Sequence, residues 1–252
     1  MSTGGKPVRK KVADAPPPAA PEGVAAVERA LSILEVFDEQ HSALSLHELA
    51  GRTGFHKSTL LRLGASLQKR GYLLRGEDGV FRLGPALWRL GSLYSRSLHL
   101  SEHVYPVLER LAERTGECAS FYIRDGNSRI CLFRRHSDSH RIRHHMEEGA
   151  RLPLDKGSGG RVLMAFSGAR GALYDQVRDK GYYVSMGELD ENLSSVAVPV
   201  YCNYPDLAGS LAVSGLRSRM TAQVIKSVLP ALLSEAAALT NRISSRSVTG
   251  SP

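Results

Sequence analysis

The sequence predicts an α+β chain of two domains, one of short helices followed by a β-hairpin and one with an antiparallel sheet flanked by helices. Three observations favour this fold class. The chain has 252 residues, 42% of them hydrophobic, which is enough for two domains that each bury a core. Apolar residues at helical spacing dominate its first third. Short alternating segments, turns and further helices fill the remainder, as expected of an α+β domain.

Residues 1–23 precede the first regular element. They begin with several basic residues, become rich in Ala and Pro, and contain no apolar segment like that of a secretion signal or a membrane span. We expect a disordered basic arm here. The first helix follows, because Val27, Leu31 and Leu34 lie on one apolar stripe.

Two short helices joined by a tight turn come next. Ser45 and Glu48 have the spacing of a capping box, which predicts a helix over residues 45–52. Thr53-Gly54-Phe55 interrupts it, and apolar spacing predicts another helix over residues 56–69. Two short helices around a three-residue turn that contains Gly are typical of a helix-turn-helix.

A β-hairpin and a further helix follow. Residues 72–75 and 80–83 alternate around a Gly-containing turn, which predicts a wing beside the helix-turn-helix. We therefore assign residues 24–84 to a winged helix-turn-helix domain. Pro85 suits the first turn of a helix, so residues 85–99 are expected to form a linker helix whose apolar stripe could serve as a dimer contact.

Positive charge is concentrated in this first domain. The chain carries a net charge of +8, and the segment from Arg52 to Arg96 alone has nine basic residues against two acidic ones. A local excess of this kind is the electrostatic footprint of a protein that binds nucleic-acid phosphates, although a solvated surface would look the same by charge alone.

The outward positions of the third helix supply the candidate DNA contacts. They carry side chains that donate to base edges and phosphates in a major groove. Any amphipathic helix has a polar face, but the unbroken order of capped helix, Gly turn, basic helix and hairpin favours DNA binding. The residues predicted to read bases are Lys57, Ser58, Thr59 and Arg62. Those predicted to position the protein on phosphates are Lys69, Arg70, Arg75 and Arg82. Ser45 and Ser66 are further predicted DNA contacts.

The second domain is expected over residues 100–244, with residues 245–252 as a tail. Its predicted helices run through Val104–Leu111, from near Gly159, and from Thr221 to about Ser244. Its predicted strands are Glu117–Ile123, Ser128–Arg135, Arg141–Met146, Tyr182–Ser185, Ser195–Tyr201 and Ala208–Leu216. Together they give an antiparallel sheet flanked by helices.

A small-residue turn leads into the predicted helix near Gly159. Free N–H groups, the helix dipole and Arg161 make the segment Lys156–Arg161, which includes Gly160, a candidate anion site. A tight structural turn is the rival interpretation. The sequence has no nucleophile elbow, no Walker A loop and no dinucleotide fingerprint, so we expect no enzyme and no cofactor.

Cysteines and histidines give no clear metal site. Cys118, Cys131 and Cys202 lack the spacing of a disulfide framework or a structural zinc site, which fits a reducing cytoplasm. Four histidines near Cys131 could suggest zinc or copper, but their spacing matches no closed site, and solvated or cavity-lining histidines are favoured. These are His136, His140, His144 and His145.

Several motifs resemble the isocitrate lyase regulator (IclR) family, over all of the chain but its tails. They are Ala26–Leu34, Leu46–Ala50, Lys57–Leu60, Arg70–Tyr72, Phe81–Gly84, Gly149–Leu154, Val196–Val200 and Ser210–Gly215. The resemblance implies a GAF-like effector domain, homodimers that often pair into tetramers, and control of catabolic genes by small carboxylate-bearing or aromatic metabolites. It places ligand contacts at Leu152, Ser158, Gly159, Glu188, Pro199, Ala212 and Ser214. Arg161 departs from the family pattern, in which Lys is usual.

We interpret the chain as a sequence-specific DNA-binding transcription regulator controlled by a small effector. Two protomers would place their third helices in successive major grooves of a near-palindromic operator. Two alternatives stay open: the second domain only oligomerises, or the regulator responds to a metal.

Overall fold

The computed structural model describes residues 23–247 apart from residue 39, residues 98–99 and residues 138–145. It divides into two compact units, Met1–Ser92 and Leu93–Pro252, which are described separately. Most of the predicted arm, the end of the predicted tail and residues 141–145 of one predicted strand lie outside the described residues.

The first unit has the predicted winged helix-turn-helix architecture. Its helices are α1 (Ala25–Glu35), α2 (Leu46–Thr53), α3 (Lys57–Lys69) and, as far as Ser92, α4 (Pro85–Ser97). Its strands are β1 (Ala43–Leu44), β2 (Leu73–Arg75) and β3 (Phe81–Leu83). The strands pair antiparallel in the order β1-β3-β2. Strand β1 was not predicted, since two residues carry no periodicity.

Almost every element of the first unit contributes a buried apolar side chain to its core. Ile33 of α1, Leu49 of α2 and Leu60 of α3 are buried together with Leu73 and Phe81 of the two hairpin strands. These apolar side chains hold α3 against α1, α2 and the hairpin, so its opposite face is free to be polar.

The second unit contains one antiparallel sheet of six strands. Its elements are α5 (Ser101–Thr115), β4 (Cys118–Asp125), β5 (Ser128–Arg135), β6 (Arg151–Pro153), α6 (Gly157–Phe166), α7 (Ala172–Lys180), β7 (Tyr183–Met186), β8 (Leu193–Asn203), β9 (Asp206–Leu216) and α8 (Ala222–Ser247). The strand order is β6-β5-β4-β9-β8-β7. The prediction of a two-domain α+β chain is confirmed.

The two faces of this sheet bury different cores. Alternate residues such as Val196, Leu211 and Val213 pack with the buried residues of α5 and α8 on one face. Tyr122, Cys131 and their neighbours pack under α6 on the other. Because successive strand residues point to opposite faces, the same strands contribute side chains to both cores.

Helix α8 is also long and apolar enough over Ala222–Ser244 to cross a membrane, judged by length and composition alone. Within the fold, its residues Leu232 and Leu239 are fully buried in the core of the second unit. The structure therefore gives the apolar residues of α8 a place inside the protein.

Three details of the second unit differ from the sequence predictions. Met146, predicted to end a strand, lies outside any strand. Strand β6 was not predicted, because it has only three residues and pairs at the edge of the sheet. Helix α7 was also missed, since Val177 is its only buried residue and leaves no apolar stripe to detect.

Candidate DNA-binding helix and ligand cavity

The capping box of α2 fixes the turn that presents α3. The Ser45 N–H donates to Glu48 Oε2 at 2.7 Å, and the Glu48 N–H donates to Ser45 Oγ at 3.3 Å. Hydrogen bonds from Ser45 hold the pKa of Glu48 below its usual value. Gly54 then ends α2 with φ of 71°, a left-handed conformation that suits Gly. The Ser45 hydroxyl thus works in the cap, and its DNA contact stays a prediction.

The exposed face of α3 carries most of the predicted DNA contacts. Leu60, Gly64 and Leu67 are buried beneath it, and Thr59 is half-buried at its edge. The exposed predicted residues are Lys57, Ser58, Arg62, Ser66 and Lys69. The structure therefore exposes these side chains on one helix, with Ser58, Arg62, Ser66 and Lys69 on the face opposite the buried residues.

The start of α3 is electrostatically suited to an anion. His56, at the N-cap, makes no side-chain capping hydrogen bond, and the first turn contains no acidic residue. Within the described part of the chain, Lys57, Arg62 and Lys69 form no ion pair, so their charges are not neutralised by a neighbouring carboxylate. The dipole and these side chains add up to a positive potential on this face.

Sequence reasoning missed the apolar part of the same surface. Leu61 is 41% exposed and lies beside Arg62, and Ala65 is exposed one turn further on. Apolar side chains at such positions can contact the methyl group of thymine in a major groove. Helical spacing from the buried Leu60 and Leu67 would have placed both residues outward.

The basic residues of the hairpin contact other side chains of the protein. Arg82 Nη2 lies 3.0 Å from Asp78 Oδ2, and this hydrogen bond lowers the pKa of Asp78. Arg75 places its guanidinium carbon 5.2 Å from the centre of the Phe81 ring. Both arginines are exposed, together with Arg70 at the end of α3, but the charge of Arg82 is partly offset by its partner.

A cavity opens in the second unit between the sheet and the start of α6. Its empty volume, which includes space open to solvent, is about 450 Å³. The lining residues are Tyr122, Arg129, Met146, Gly157, Ser158, Gly159, Ser185, Leu189, Leu193, Ser195, Ala212 and Ser214. Apolar walls with a few converging polar groups are the usual composition of a small-molecule site.

A row of serines forms the floor of this cavity. Ser185, Ser195 and Ser214 are cross-strand partners on β7, β8 and β9. Ser158, on α6, donates its hydroxyl hydrogen to Ser195 Oγ at 2.7 Å. Each hydroxyl can both donate and accept, so the floor can satisfy hydroxyl or carbonyl groups of a ligand.

The predicted anion turn at the start of α6 already binds a carboxylate of the protein itself. The Gly157 N–H donates to Glu188 Oε2 at 3.2 Å, and Arg161 Nε donates to the same oxygen at 3.4 Å. Tyr183 donates its hydroxyl hydrogen to Glu188 Oε1 at 2.6 Å; its burial and this carboxylate raise the pKa of Tyr183 to about 12. The turn thus anchors the Glu188 side chain.

The predicted effector contacts divide into two groups. Ser158, Gly159, Ala212 and Ser214 line the cavity. Five others lie outside its lining: Leu152, Gly160, Arg161, Glu188 and Pro199. A side chain at Gly160 would collide with the Leu154 carbonyl and with Arg129, so this Gly permits close packing of α6.

Sequence reasoning also missed a buried cation. Arg129, on β5, is 2% exposed and lines the cavity. Its guanidinium carbon lies 5.2 Å from the centre of the Tyr122 ring, and burial lowers its pKa. Strand alternation would have placed it on the same face as Cys131, but nothing in the sequence separates a buried arginine from an exposed one.

The cysteines and the one described histidine of the 136–145 group show no assembled metal site. His136 Nδ1 lies 3.3 Å from Cys118 Sγ, and burial raises the pKa of Cys131 to about 11. Among the residues that the structure describes, no three His, Cys, Asp or Glu side chains form a group that could hold a metal ion. His140, His144 and His145 lie outside the described residues.

Comparisons with known proteins agree with this architecture. The IclR helix-turn-helix domain model matches residues 26–76. The model of the C-terminal domain of bacterial IclR transcriptional regulators matches residues 92–174 and 172–241. The HTH-type transcriptional regulator XynR of Escherichia coli K12 is 29% identical over 223 residues, which cover 78% of this chain and 88% of that protein.

Solved structures share the fold. A candidate IclR transcriptional regulator from Silicibacter sp. TM1040 is 26% identical, with a TM-score of 0.77 and coverage of 87% of this chain and 96% of that one. An IclR homologue from Microbacterium hydrocarbonoxydans, complexed with 4-hydroxybenzoate, has 21% identity, a TM-score of 0.75 and coverage of 88% and 100%. The relatives are named as regulators and not as enzymes, as predicted. The chain belongs to the IclR family of bacterial transcriptional regulators.

Proposed function

We propose that this regulator acts in the cytoplasm, binds a near-palindromic operator as a homodimer or a pair of dimers, and responds to a small organic acid held in the second unit. The observation that carries the effector part is the cavity over the serine floor, in which hydroxyls and one arginine converge. A domain that only oligomerised would have no need of such a cavity.

The DNA part of the proposal rests on α3. Lys57, Ser58 and Arg62 lie exposed in its first two turns, the part of a recognition helix that reaches base edges. Lys69 and Arg70, at the other end, would contact phosphates and set the register. Together with Arg75 of the hairpin, they provide the salt-dependent part of binding.

A second copy of this chain is the proposed partner of the exposed apolar residues of the first unit. Val27 and Leu31 of α1 are 55% and 51% exposed, and Trp88 of α4 is 81% exposed. Apolar side chains of this size are usually covered in an oligomer when they cluster on helix faces. Two-fold pairing would also match the two half-sites of a palindrome.

The chemical class of the effector is proposed from the cavity and from one neighbour. The lining combines one arginine and several serine hydroxyls with apolar side chains, which suits a small acid with an apolar body. The neighbour from Microbacterium hydrocarbonoxydans binds 4-hydroxybenzoate, an aromatic carboxylate. The effector would act by binding one conformation of the second unit more tightly than another, since only that difference can change DNA affinity.

The test is DNA binding at fixed salt to the region upstream of the chain's own gene. Titrations are repeated with small carboxylates and aromatic acids, including 4-hydroxybenzoate. We expect tighter binding than to random DNA, and a change in operator affinity with at least one acid. Equal affinity for random DNA would contradict the operator proposal. Specific binding that no acid alters would contradict the effector proposal.

A further inference from the structure

The guanidinium of Arg129 is attached to the wall of the cavity by one of its ends. Nη1 donates to the Pro153 carbonyl at 2.9 Å and also to the Lys156 carbonyl, and the guanidinium lies over the Tyr122 ring. These contacts hold the side chain in place between β6 and the turn before α6. The cation is therefore fixed in position before any ligand arrives.

The other edge of the same guanidinium has no acceptor. Nε is enclosed and has no hydrogen-bond partner. In the described part of the chain, Nη2 of Arg129 donates no hydrogen bond either. An enclosed N–H without an acceptor is rare in folded proteins, because its desolvation is not compensated.

Two other arginines of the second unit show what this edge binds. Arg110 donates from Nε and Nη2 to the two carboxylate oxygens of Glu235, at 3.0 and 2.6 Å. Arg219 donates from the same two nitrogens to Glu117, at 2.6 and 3.0 Å. The Nε–Nη2 edge matches the spacing of a carboxylate. Among the described residues, Arg129 and Arg134 are buried arginines without this partner, and of the two it is Arg129 that lines the cavity.

No acid of the described chain neutralises the charge of Arg129. Arginine keeps its proton in proteins, so burial leaves a full positive charge in the cavity wall. Asp155 and Glu188 attract it from a distance, but neither forms an ion pair with it. Glu188 is held instead by Gly157, Arg161 and Tyr183.

We propose that Arg129 binds the carboxylate of the effector through its Nε–Nη2 edge, while the serine floor receives the polar groups at the other end of the ligand. This inference rests on the proposed effector site and assigns its anion contact to Arg129 of β5, not to the predicted turn around Arg161. Tyr122, beneath the guanidinium, adds an apolar surface on which the body of a small acid can pack.

The test compares acids with their neutral amides on the full chain by titration calorimetry. The probes are lactate and lactamide, benzoate and benzamide, and 4-hydroxybenzoate and 4-hydroxybenzamide. We expect at least one acid to bind and its amide to bind more weakly by roughly tenfold or more, as for loss of a charged hydrogen-bonded pair. Equal affinity of acid and amide, or no binding of any acid, would overturn the proposal.

Variants assign the effect to one side chain. Arg129→Gln should weaken binding of the acid by about tenfold or more and remove the preference for the acid over its amide. Arg129→Lys, which keeps the charge but lacks the planar edge, should have an intermediate affinity for the acid. Arg124→Gln is the matched control, since Arg124 is the exposed cross-strand partner of Arg129. If Arg129→Gln does not fold, the acid and amide comparison on the native chain still decides whether an anion is required.

Two results separate this inference from the proposed function. Loss of the acid preference in Arg161→Gln, with Arg129→Gln unaffected, would move the carboxylate to the α6 turn and overturn the assignment. Operator binding that changes with a neutral compound but with none of the acids would keep a regulator controlled by a small molecule, but would reject both the organic acid as its effector and Arg129 as an anion contact.

Discussion

At the scale of single residues, Arg62 and Arg70 should have different roles on DNA. Arg62 lies exposed in the first two turns of α3, whereas Arg70 lies at the end of the helix. We expect Arg62→Ala to reduce the preference for operator over random DNA by about 1–3 kcal/mol. The measurement is a pair of binding titrations, on operator and on random duplex, at one salt concentration.

Arg70→Ala is the matched control for this experiment. Loss of the Arg70 side chain should weaken binding to both duplexes about equally. It should also reduce the slope of log affinity against log salt by roughly one, the contribution of one phosphate contact. An equal loss on both duplexes from Arg62→Ala would instead place Arg62 on the phosphates.

The cavity shows why residues were only partly predictable from the sequence. Ser158, Gly159 and Ser214, which the family resemblance placed against the ligand, line the cavity, and their role in binding stays a prediction. Arg129 was not predicted, because its burial depends on the Tyr122 ring and on carbonyls more than twenty residues away. The sequence predicted Arg161 as part of an anion site, but in the fold its Nε donates to Glu188, which lies 27 residues away in the sequence.

At the scale of elements, the packing of α6 on the sheet should tolerate no side chain at Gly160. A Cβ there would collide with the Leu154 carbonyl and with Arg129, and neither can move without disturbing the turn. We expect Gly160→Ala to destabilise the second unit by about 1–3 kcal/mol, the usual cost of overpacking. Chemical unfolding of the full chain measures it.

Gly51→Ala is the corresponding control on a helix with space. Nothing lies within 4 Å of a Cβ at Gly51, which is exposed on α2. Because Ala is a better helix former, this change should stabilise the first unit by up to about 1 kcal/mol. A Gly160→Ala variant as stable as the native chain would refute the close approach of α6 to Leu154 and Arg129.

The ion pair between α5 and α8 predicts a pH dependence. The hydrogen bond from Arg110 lowers the pKa of Glu235 below its usual value of 4.5. A lowered carboxyl pKa stabilises the fold above the pKa of the unfolded chain, and that contribution disappears as the pH falls through the lowered pKa. Arg110→Gln should therefore cost about 1 kcal/mol or less near neutral pH, because Arg110 is partly exposed.

This cost should shrink as the pH falls below about 4, where Glu235 becomes protonated in both proteins. Urea unfolding of the native chain and of Arg110→Gln at several pH values measures the difference. A difference that stays constant down to pH 3, well below the usual Glu pKa near 4, would argue against the pair as its source.

The elements that the sequence predicted share a physical property. Helices α3 and α8 and the strand pair β4–β5 each bury several residues at one period, which a sequence records directly. Strand β6 and helix α7 bury almost nothing of their own. Their structure depends on neighbours that are distant in the sequence, so periodicity alone could not reveal them.

At the scale of the whole molecule, the exposed apolar side chains of the first unit should control assembly. Trp88 is 81% exposed on α4. We expect Trp88→Glu to shift the proposed dimer towards monomer and to weaken operator binding by at least roughly tenfold, since a monomer reaches one half-site. Sedimentation velocity and DNA titration measure the two effects.

Leu173 offers a control on the second unit. It is 36% exposed on α7, a helix of the second unit, and so lies outside the apolar residues proposed for pairing. Leu173→Glu should leave both the sedimentation coefficient and the operator affinity close to those of the native chain. A dimer that survives Trp88→Glu unchanged would contradict a role for α4 in pairing.

The two-faced sheet of the second unit has a consequence for how such regulators diverge. On β8 and β9, Ser195 and Ser214 face the cavity, while Val196 and Val213 face the core with α5 and α8. Selection for a new metabolite can therefore act on every second position of these strands while purifying selection preserves the positions between them. If the cavity binds the proposed effector, we expect related chains to differ in effector by a few substitutions on the cavity face, with the helices on the other side of the sheet almost unchanged.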